Sequence, residues 1–83
     1  MRGIRETFMT TLNLGNLATF RLVVQRGSFS AAADALGISQ PAVSLQVRQL
    51  EQFLQTRLLE RTGRGIKATA AGMALLAHSE QID

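Results

Sequence analysis

The chain has 83 residues, 46% of them hydrophobic, with nine Lys and Arg against six Asp and Glu and no cysteine. This length allows one small domain with a single core, and the apolar content is that of a globular protein rather than a disordered one. The absence of cysteine excludes disulfides and thiolate metal sites and fits a reducing cytoplasm. No apolar run approaches the roughly 20 residues of a membrane-spanning helix.

Residues 1 to 12, "MRGIRETFMTTL", are predicted to be an N-terminal extension ahead of the fold. The stretch has no continuous apolar segment, so it does not fit a secretory signal. Phe8 and Met9 are its apolar side chains that could dock on the domain. The first helix is then predicted between Asn13 as N-cap and Gly27 as C-terminal stop. Its apolar residues are spaced by three, three and four, which places them on one helical face: Leu14, Leu17, Phe20 and Val24.

A second, alanine-rich helix is predicted over residues 31 to 36, with Ser28 or Ser30 as N-cap and Gly37 at its end. Residues 37 to 39 form a tight turn. A third helix follows over residues 39 to 54, with Ser39 as N-cap and Pro41 in its first turn, where a missing N–H costs little.

The third helix is amphipathic. At 100° per residue its apolar stripe contains Val43, Val47, Leu50 and Leu54. The opposite face contains Pro41, Leu45, Arg48, Gln49 and Gln52, with Gln40 and Ser44 at its margin near the N-terminal end. This outer face carries no acidic residue before Glu51, which suits an approach to a polyanion.

After the third helix the period changes from helical to extended. Residues 58 to 61 and 66 to 68 are predicted strands, joined by a turn over residues 62 to 65 in which two glycines flank Arg64. Thr69 is predicted to cap a last helix that runs toward Asp83 with no stop signal, so we expect the chain to be part of a longer protein. Met73, Leu76 and Ala77 are placed on one side of this helix. His78, the one histidine of the sequence, also lies in this helix. A single histidine cannot form a metal site alone, and this one is expected to be exposed.

Two helices joined by a tight glycine turn, followed by a basic hairpin, form a winged helix-turn-helix. The predicted fold class is therefore mainly α, with three helices and a short two-stranded wing over residues 13 to 68 and a linker or dimerisation helix over residues 69 to 83. Residues 48 to 67 contain five basic and two acidic residues, an excess of three that equals the net charge of +3. An excess of positive charge in the segment that contains the third helix and the wing favours binding to double-stranded DNA.

Two other classes of function fit the sequence less well than DNA binding. A helical module that only pairs with another protein has no use for a glycine-flanked arginine hairpin. An enzyme is not expected, because the sequence shows no nucleophile with a base, no phosphate loop and no metal cluster.

The segment over residues 14 to 72 resembles the N-terminal DNA-binding domain of LysR-type transcriptional regulators. The blocks "GSFSAAADALGISQPAVS" and "RQLEQFLQTRLLERTGRGIKATAAG" carry the resemblance. A similar domain occurs in molybdate-responsive regulators, which remain the alternative. The resemblance implies a bacterial, cytoplasmic regulator of transcription that works as a homodimer, with a tetramer possible at full length. It implies no cofactor in this chain, and a small-molecule effector bound by a C-terminal domain.

The resemblance also assigns roles by position. Gln40, Pro41 and Ser44 are expected in the major groove and Arg64 at the minor groove. Residues expected on or near the DNA backbone are Ser28, Ser39 and Arg48. Pairing through the last helix, with Met73, Leu76 and Ala77 as the seam, would give two recognition helices that read a near-palindromic site. The ordinary alternatives are a solvated turn for Arg64 and a core position for the apolar residues of the last helix.

Leu45 departs from the family pattern, which often has arginine, lysine or another polar residue there. Because Leu45 lies at the centre of the outward face, burial in the domain's own core is not expected. Two interpretations remain open: an apolar contact with a thymine methyl group, or no contact at all.

Overall fold

A computed structural model describes residues 13 to 82, without the side chains of residues 80 to 82. The elements in chain order are helices α1 (Leu14–Arg26), α2 (Phe29–Leu36) and α3 (Gln40–Leu54), strands β1 (Leu59–Thr62) and β2 (Gly65–Ala68), and helix α4 (Ala70–Ile82). This order confirms the predicted winged helix-turn-helix with a following helix. The predicted extension over residues 1 to 12, with Phe8 and Met9, lies outside the described residues.

Side-chain caps set where the first three helices begin. The side-chain oxygens of Asn13, Ser28 and Ser39 each accept a hydrogen bond from the backbone N–H three residues later, at 3.0, 3.1 and 3.2 Å. Ser28 rather than Ser30 is therefore the cap of α2, which starts at Phe29, two residues earlier than predicted. Gly27 and Gly37 end α1 and α2 with φ angles of 68° and 69°, a left-handed conformation that glycine adopts without steric cost.

The core lies where α1, α2 and α3 meet the start of the wing. Its buried apolar residues are Leu17, Phe20, Val23, Ala32, Ala33, Val43, Val47, Leu50, Leu58 and Leu59. The stripe predicted for α3 is confirmed, with Leu54 half-buried against the same core. Small alanines on α2 allow the neighbouring helices to approach closely, which an eight-residue helix needs because it is marginal alone.

The stripe predicted for α1 is wrong at Leu14, whereas Val24 is half-buried against the core. Leu14 is 50% exposed, and Val23 rather than Val24 is fully buried. The buried face also contains two polar residues, Asn16 and Thr19, which are 7% and 3% exposed. The apolar pattern alone misplaces this face, because part of it consists of polar residues that contact α3.

The wing is a two-stranded antiparallel hairpin in which Leu59 pairs with Ala68 and Thr62 pairs with Gly65. Its turn consists of Gly63 and Arg64 alone, shorter than the four residues predicted. Buried Leu59 anchors the base of the hairpin to the core.

Helix α4 is attached to both the wing and α1. Thr69 caps it by accepting a hydrogen bond from the N–H of Gly72 at 3.1 Å, as predicted, and donates its own hydroxyl to the Arg57 carbonyl at 2.6 Å. Arg21 on α1 donates to the hydroxyl of fully buried Ser79 at 2.7 Å. In the described part of the chain, no helix is long and apolar enough to cross a membrane.

Candidate nucleic-acid interface

The outward face of α3 has the exposure that the sequence predicted. Gln40, Pro41, Leu45 and Arg48 are exposed, and Ser44 is half-buried. The positive end of the helix dipole lies at the start of α3, where it favours a phosphate nearby. This end of α3 therefore combines hydrogen-bonding side chains with a positive local potential.

The two serines predicted near the DNA backbone are the caps of α2 and α3. The hydroxyl oxygens of Ser28 and Ser39 accept from backbone N–H groups, so each O–H remains able to donate to a further acceptor. Ser39 is exposed and Ser28 is half-buried. The structure places both serines at helix starts.

A groove of about 640 Å³ separates α3 from the wing. Ser44 and Arg48 line it from α3, Arg61 and Ile66 line it from the wing, and Arg57 lines it from the connecting loop. Helix α3 and the wing thus share one concave surface with three arginines along it.

Two carboxylates that also line this groove, those of Glu51 and Glu60, are already engaged. Glu51 Oε2 accepts from the backbone N–H of Leu58 at 2.8 Å and lies 3.7 Å from Arg57 Nε. Glu60 pairs with Lys67 across the hairpin at 3.6 Å. Among the residues that the structure describes, no carboxylate lies within 4 Å of the side-chain nitrogens of Arg48, Arg61 or Arg64, so their charge is available to an anion.

Arg64 stands at the tip of the wing and is exposed. Its backbone N–H donates to Thr62 Oγ1 at 3.2 Å, and the Thr62 hydroxyl donates to the Gly65 carbonyl at 3.3 Å. Gly65 has a φ of 129°, which only glycine adopts readily, and an added Cβ would lie 3.1 Å from the Gly27 carbonyl. The tip backbone is therefore held by local contacts while the guanidinium projects from it.

Two side-chain bridges join α1 to α3. The Thr19 hydroxyl donates to Gln46 Oε1, and Asn16 Nδ2 donates to Gln49 Oε1 at 3.3 Å. Gln49 is exposed, as predicted for the outward face, and its side chain also contacts α1. The sequence did contain a signal for these bridges. It is the pair of polar residues Asn16 and Thr19, which lie next to the buried Leu17 and Phe20 of α1.

The connection from α3 to the wing is also fixed. Gln55 ends α3 in a left-handed conformation with φ 54°, and the Thr56 N–H donates to the Glu51 carbonyl at 3.1 Å. Because Glu51 also accepts from the N–H groups of Leu58 and Leu59, one side chain of α3 holds the first residues of the wing. The position of the wing relative to α3 is thus held by hydrogen bonds within the domain.

The family model described as "Bacterial regulatory helix-turn-helix protein, lysR family" matches residues 14–73. The chain belongs to the LysR family. This membership supports the LysR interpretation over both alternatives, the molybdate-responsive regulators and the pairing module that does not bind DNA.

Similar LysR-family and HTH-type proteins extend well beyond this chain in length. An uncharacterized HTH-type transcriptional regulator of Azotobacter vinelandii is 45% identical over 71 residues, which are 86% of this chain and 49% of the relative. A probable RuBisCO transcriptional regulator of a Nostoc species is 46% identical over 69 residues, 83% of this chain and 20% of the relative. The chain therefore spans about half of one curated relative and a fifth of the other.

Solved structures of similar domains include complexes with DNA. The DNA complex of the CbnR DNA-binding domain superposes with a TM-score of 0.77 at 41% identity, covering 84% of this chain and 80% of that one. The complex of the BenM DNA-binding domain with benA site 1 DNA has a TM-score of 0.68 at 39% identity, covering 84% and 90%.

Helix α4 of this LysR-family chain separates the three residues predicted for a dimer seam. Met73, 59% exposed, and Ala77 lie on its exposed face with Ala70, Ala74 and His78. Leu76 is half-buried against the domain's own core, because the same helix must also cover that core. The exposed face is therefore richer in small residues than predicted, and its role in pairing stays a prediction.

Proposed function

We propose that this chain binds double-stranded DNA in a sequence-specific manner, as the DNA-binding domain of a bacterial LysR-type transcriptional regulator. The first turns of α3 enter the major groove, with Gln40, Pro41 and Ser44 toward the bases. Ser28, Ser39 and Arg48 lie toward the backbone, and Arg64 lies at the minor groove. The similar domains of CbnR and BenM, solved as complexes with DNA, support the proposal.

The groove shared by α3 and the wing is the observation that carries it. The major groove of B-DNA is about 12 Å wide and admits one helix, while the DNA backbone beside it must lie between that helix and the wing. Arg48 of α3 and Arg61 of the wing line this space, beside Arg57, which is paired with Glu51. A phosphate strand seated there would be neutralised from both sides, which an unrelated helical module has no reason to provide.

Pairing of two copies through the exposed face of α4 is the second part of the proposal. A two-fold dimer presents two recognition helices and so matches a near-palindromic site. Such a regulator works in the cytoplasm, where the bacterial chromosome lies. The effector expected for a separate domain stays a prediction.

Fluorescence anisotropy with a labelled non-specific duplex at several salt concentrations between about 50 and 200 mM tests the DNA contact. The affinity should fall steeply with salt, because each phosphate neutralised contributes about −0.9 to the logarithmic slope. Arg48→Ala and Arg64→Ala should each make the slope shallower by about one unit.

Arg26→Ala is the matched control, because Arg26 is an exposed arginine in the last turn of α1 and does not line the groove. It removes the same charge and should leave the slope unchanged. Equal effects of all three substitutions, or no binding at the lowest salt, would contradict the proposal.

Sedimentation with and without a duplex tests the pairing. Met73→Glu should shift the dimer toward monomer, because it places a charge on the exposed face of α4, whereas the exposed Phe53→Glu on α3 should not. A parent chain that stays strictly monomeric even on DNA would exclude this seam.

A further inference from the structure

We propose that Leu45 reads a thymine in each half-site through the thymine C5-methyl group. This inference rests on the proposed function, since it assumes that α3 lies in the major groove. It adds one specific requirement for the target: an A·T pair at a fixed position, with its methyl group toward α3.

Leu45 is 52% exposed. Single exposed leucines are ordinary on protein surfaces, so exposure alone carries no argument. The position does carry one, because Leu45 lies on the same outward face as Arg48 and immediately after Ser44. A DNA edge that contacts Ser44 and Arg48 would lie next to Leu45.

Leu45 does not stand alone on this face. Pro41 precedes it by four residues and is also exposed, so the two side chains occupy one side of α3, one turn apart. Neither side chain can donate or accept a hydrogen bond. Together they form an apolar strip at the N-terminal end of α3, the end that is proposed to face the bases.

The chemistry of the major groove identifies the occupant of this strip. Guanine, adenine and cytosine present only donors and acceptors there, whereas thymine adds an apolar methyl group. A leucine placed against the other three bases would remove water from a polar edge without replacing its hydrogen bond, which is unfavourable. Thymine is the base whose edge Leu45 complements.

The test begins with duplexes that this chain selects from a random pool. In the selected sequence each thymine is replaced in turn by deoxyuridine, which removes only the methyl group, and affinities are measured by anisotropy. We expect about a fourfold loss at one thymine in each half-site, the effect of burying one methyl group, and little change at the others.

The Leu45→Ala chain should lose the sensitivity to deoxyuridine at that thymine alone. Leu14→Ala is the matched control, because Leu14 is 50% exposed but lies at the start of α1, and it should keep the sensitivity. The inference is overturned if no deoxyuridine replacement in the selected sequence lowers the affinity. It is also overturned if the Leu45→Ala chain is as sensitive to deoxyuridine as the unsubstituted chain. A pool with no enrichment would overturn the proposed function itself, and this inference with it.

Discussion

Replacement of Gly72 by alanine should destabilise the domain, because α4 approaches the end of the α3–β1 connection without room for a side chain. A Cβ at position 72 would lie 2.3 Å from the carbonyl oxygen of Leu58 and 3.2 Å from both Phe20 Cζ and Ala68 Cβ. Real Cβ atoms essentially never approach closer than 3.0 Å, so the backbone has to move by at least 0.7 Å, which is 3.0 minus 2.3.

The surroundings of Gly72 cannot yield easily. The Leu58 carbonyl is held by the N–H of Thr69 at 3.0 Å, and Leu58 and Phe20 are 1% and 0% exposed. Overpacking typically costs about 1 to 3 kcal/mol, and a clash with backbone belongs at the upper end of that range. Alanine is favoured over glycine in helices by up to about 1 kcal/mol, which leaves a net loss of about 2 kcal/mol.

Thermal unfolding followed by circular dichroism measures this loss. In a domain of this size each kcal/mol corresponds to about 4 to 8 °C, so Gly72→Ala should lower Tm by roughly 8 to 16 °C. Gly63→Ala is the matched control, since nothing lies within 4 Å of a Cβ there and the backbone is not left-handed. It should leave Tm nearly unchanged or slightly raised. If Gly72→Ala unfolds at the same Tm as the unsubstituted chain, the reasoning is refuted.

Three further substitutions test other contacts. Leu45→Arg should tighten binding to non-specific duplex and steepen its salt slope by about one unit in an anisotropy titration; an unchanged slope would place residue 45 away from phosphates. Glu51→Ala should cost about 1 to 3 kcal/mol in urea unfolding, because it leaves the buried N–H of Leu58 without its acceptor; Arg57→Ala, which removes only the exposed partner of the ion pair, should cost little. Gln55→Gly should raise Tm by a few degrees, because residue 55 is left-handed and glycine relieves about 1 kcal/mol of strain; a lower Tm would contradict this.

Several features of the fold and the candidate site could be predicted because their causes are local. The caps Asn13, Ser39 and Thr69 act on N–H groups three residues away, and a glycine at a helix end needs only its own backbone freedom. Helical periodicity also predicts that α3 has a buried apolar stripe on one side and an exposed face containing Leu45 on the other. These signals were enough to identify the helix-turn-helix, the wing and the outward face.

Other features depend on contacts between distant segments. Thr19 bonds Gln46 and Asn16 bonds Gln49 across separations of 27 and 33 residues, and no local pattern states that these polar side chains meet. Leu76 was predicted on a pairing face but packs on the core, because periodicity defines an angle around a helix and not which neighbour covers that angle.

By itself, then, the sequence determined which segments are helical, where α1, α3 and α4 begin and which face of α3 is polar, since each depends on residues within one or two turns. Only the tertiary structure decided which polar residues are shared between α1 and α3, how close α4 lies to Leu58, and that α3 and the wing border one groove. The physical reason is that burial and hydrogen bonding between elements are properties of their relative positions, which no single segment contains.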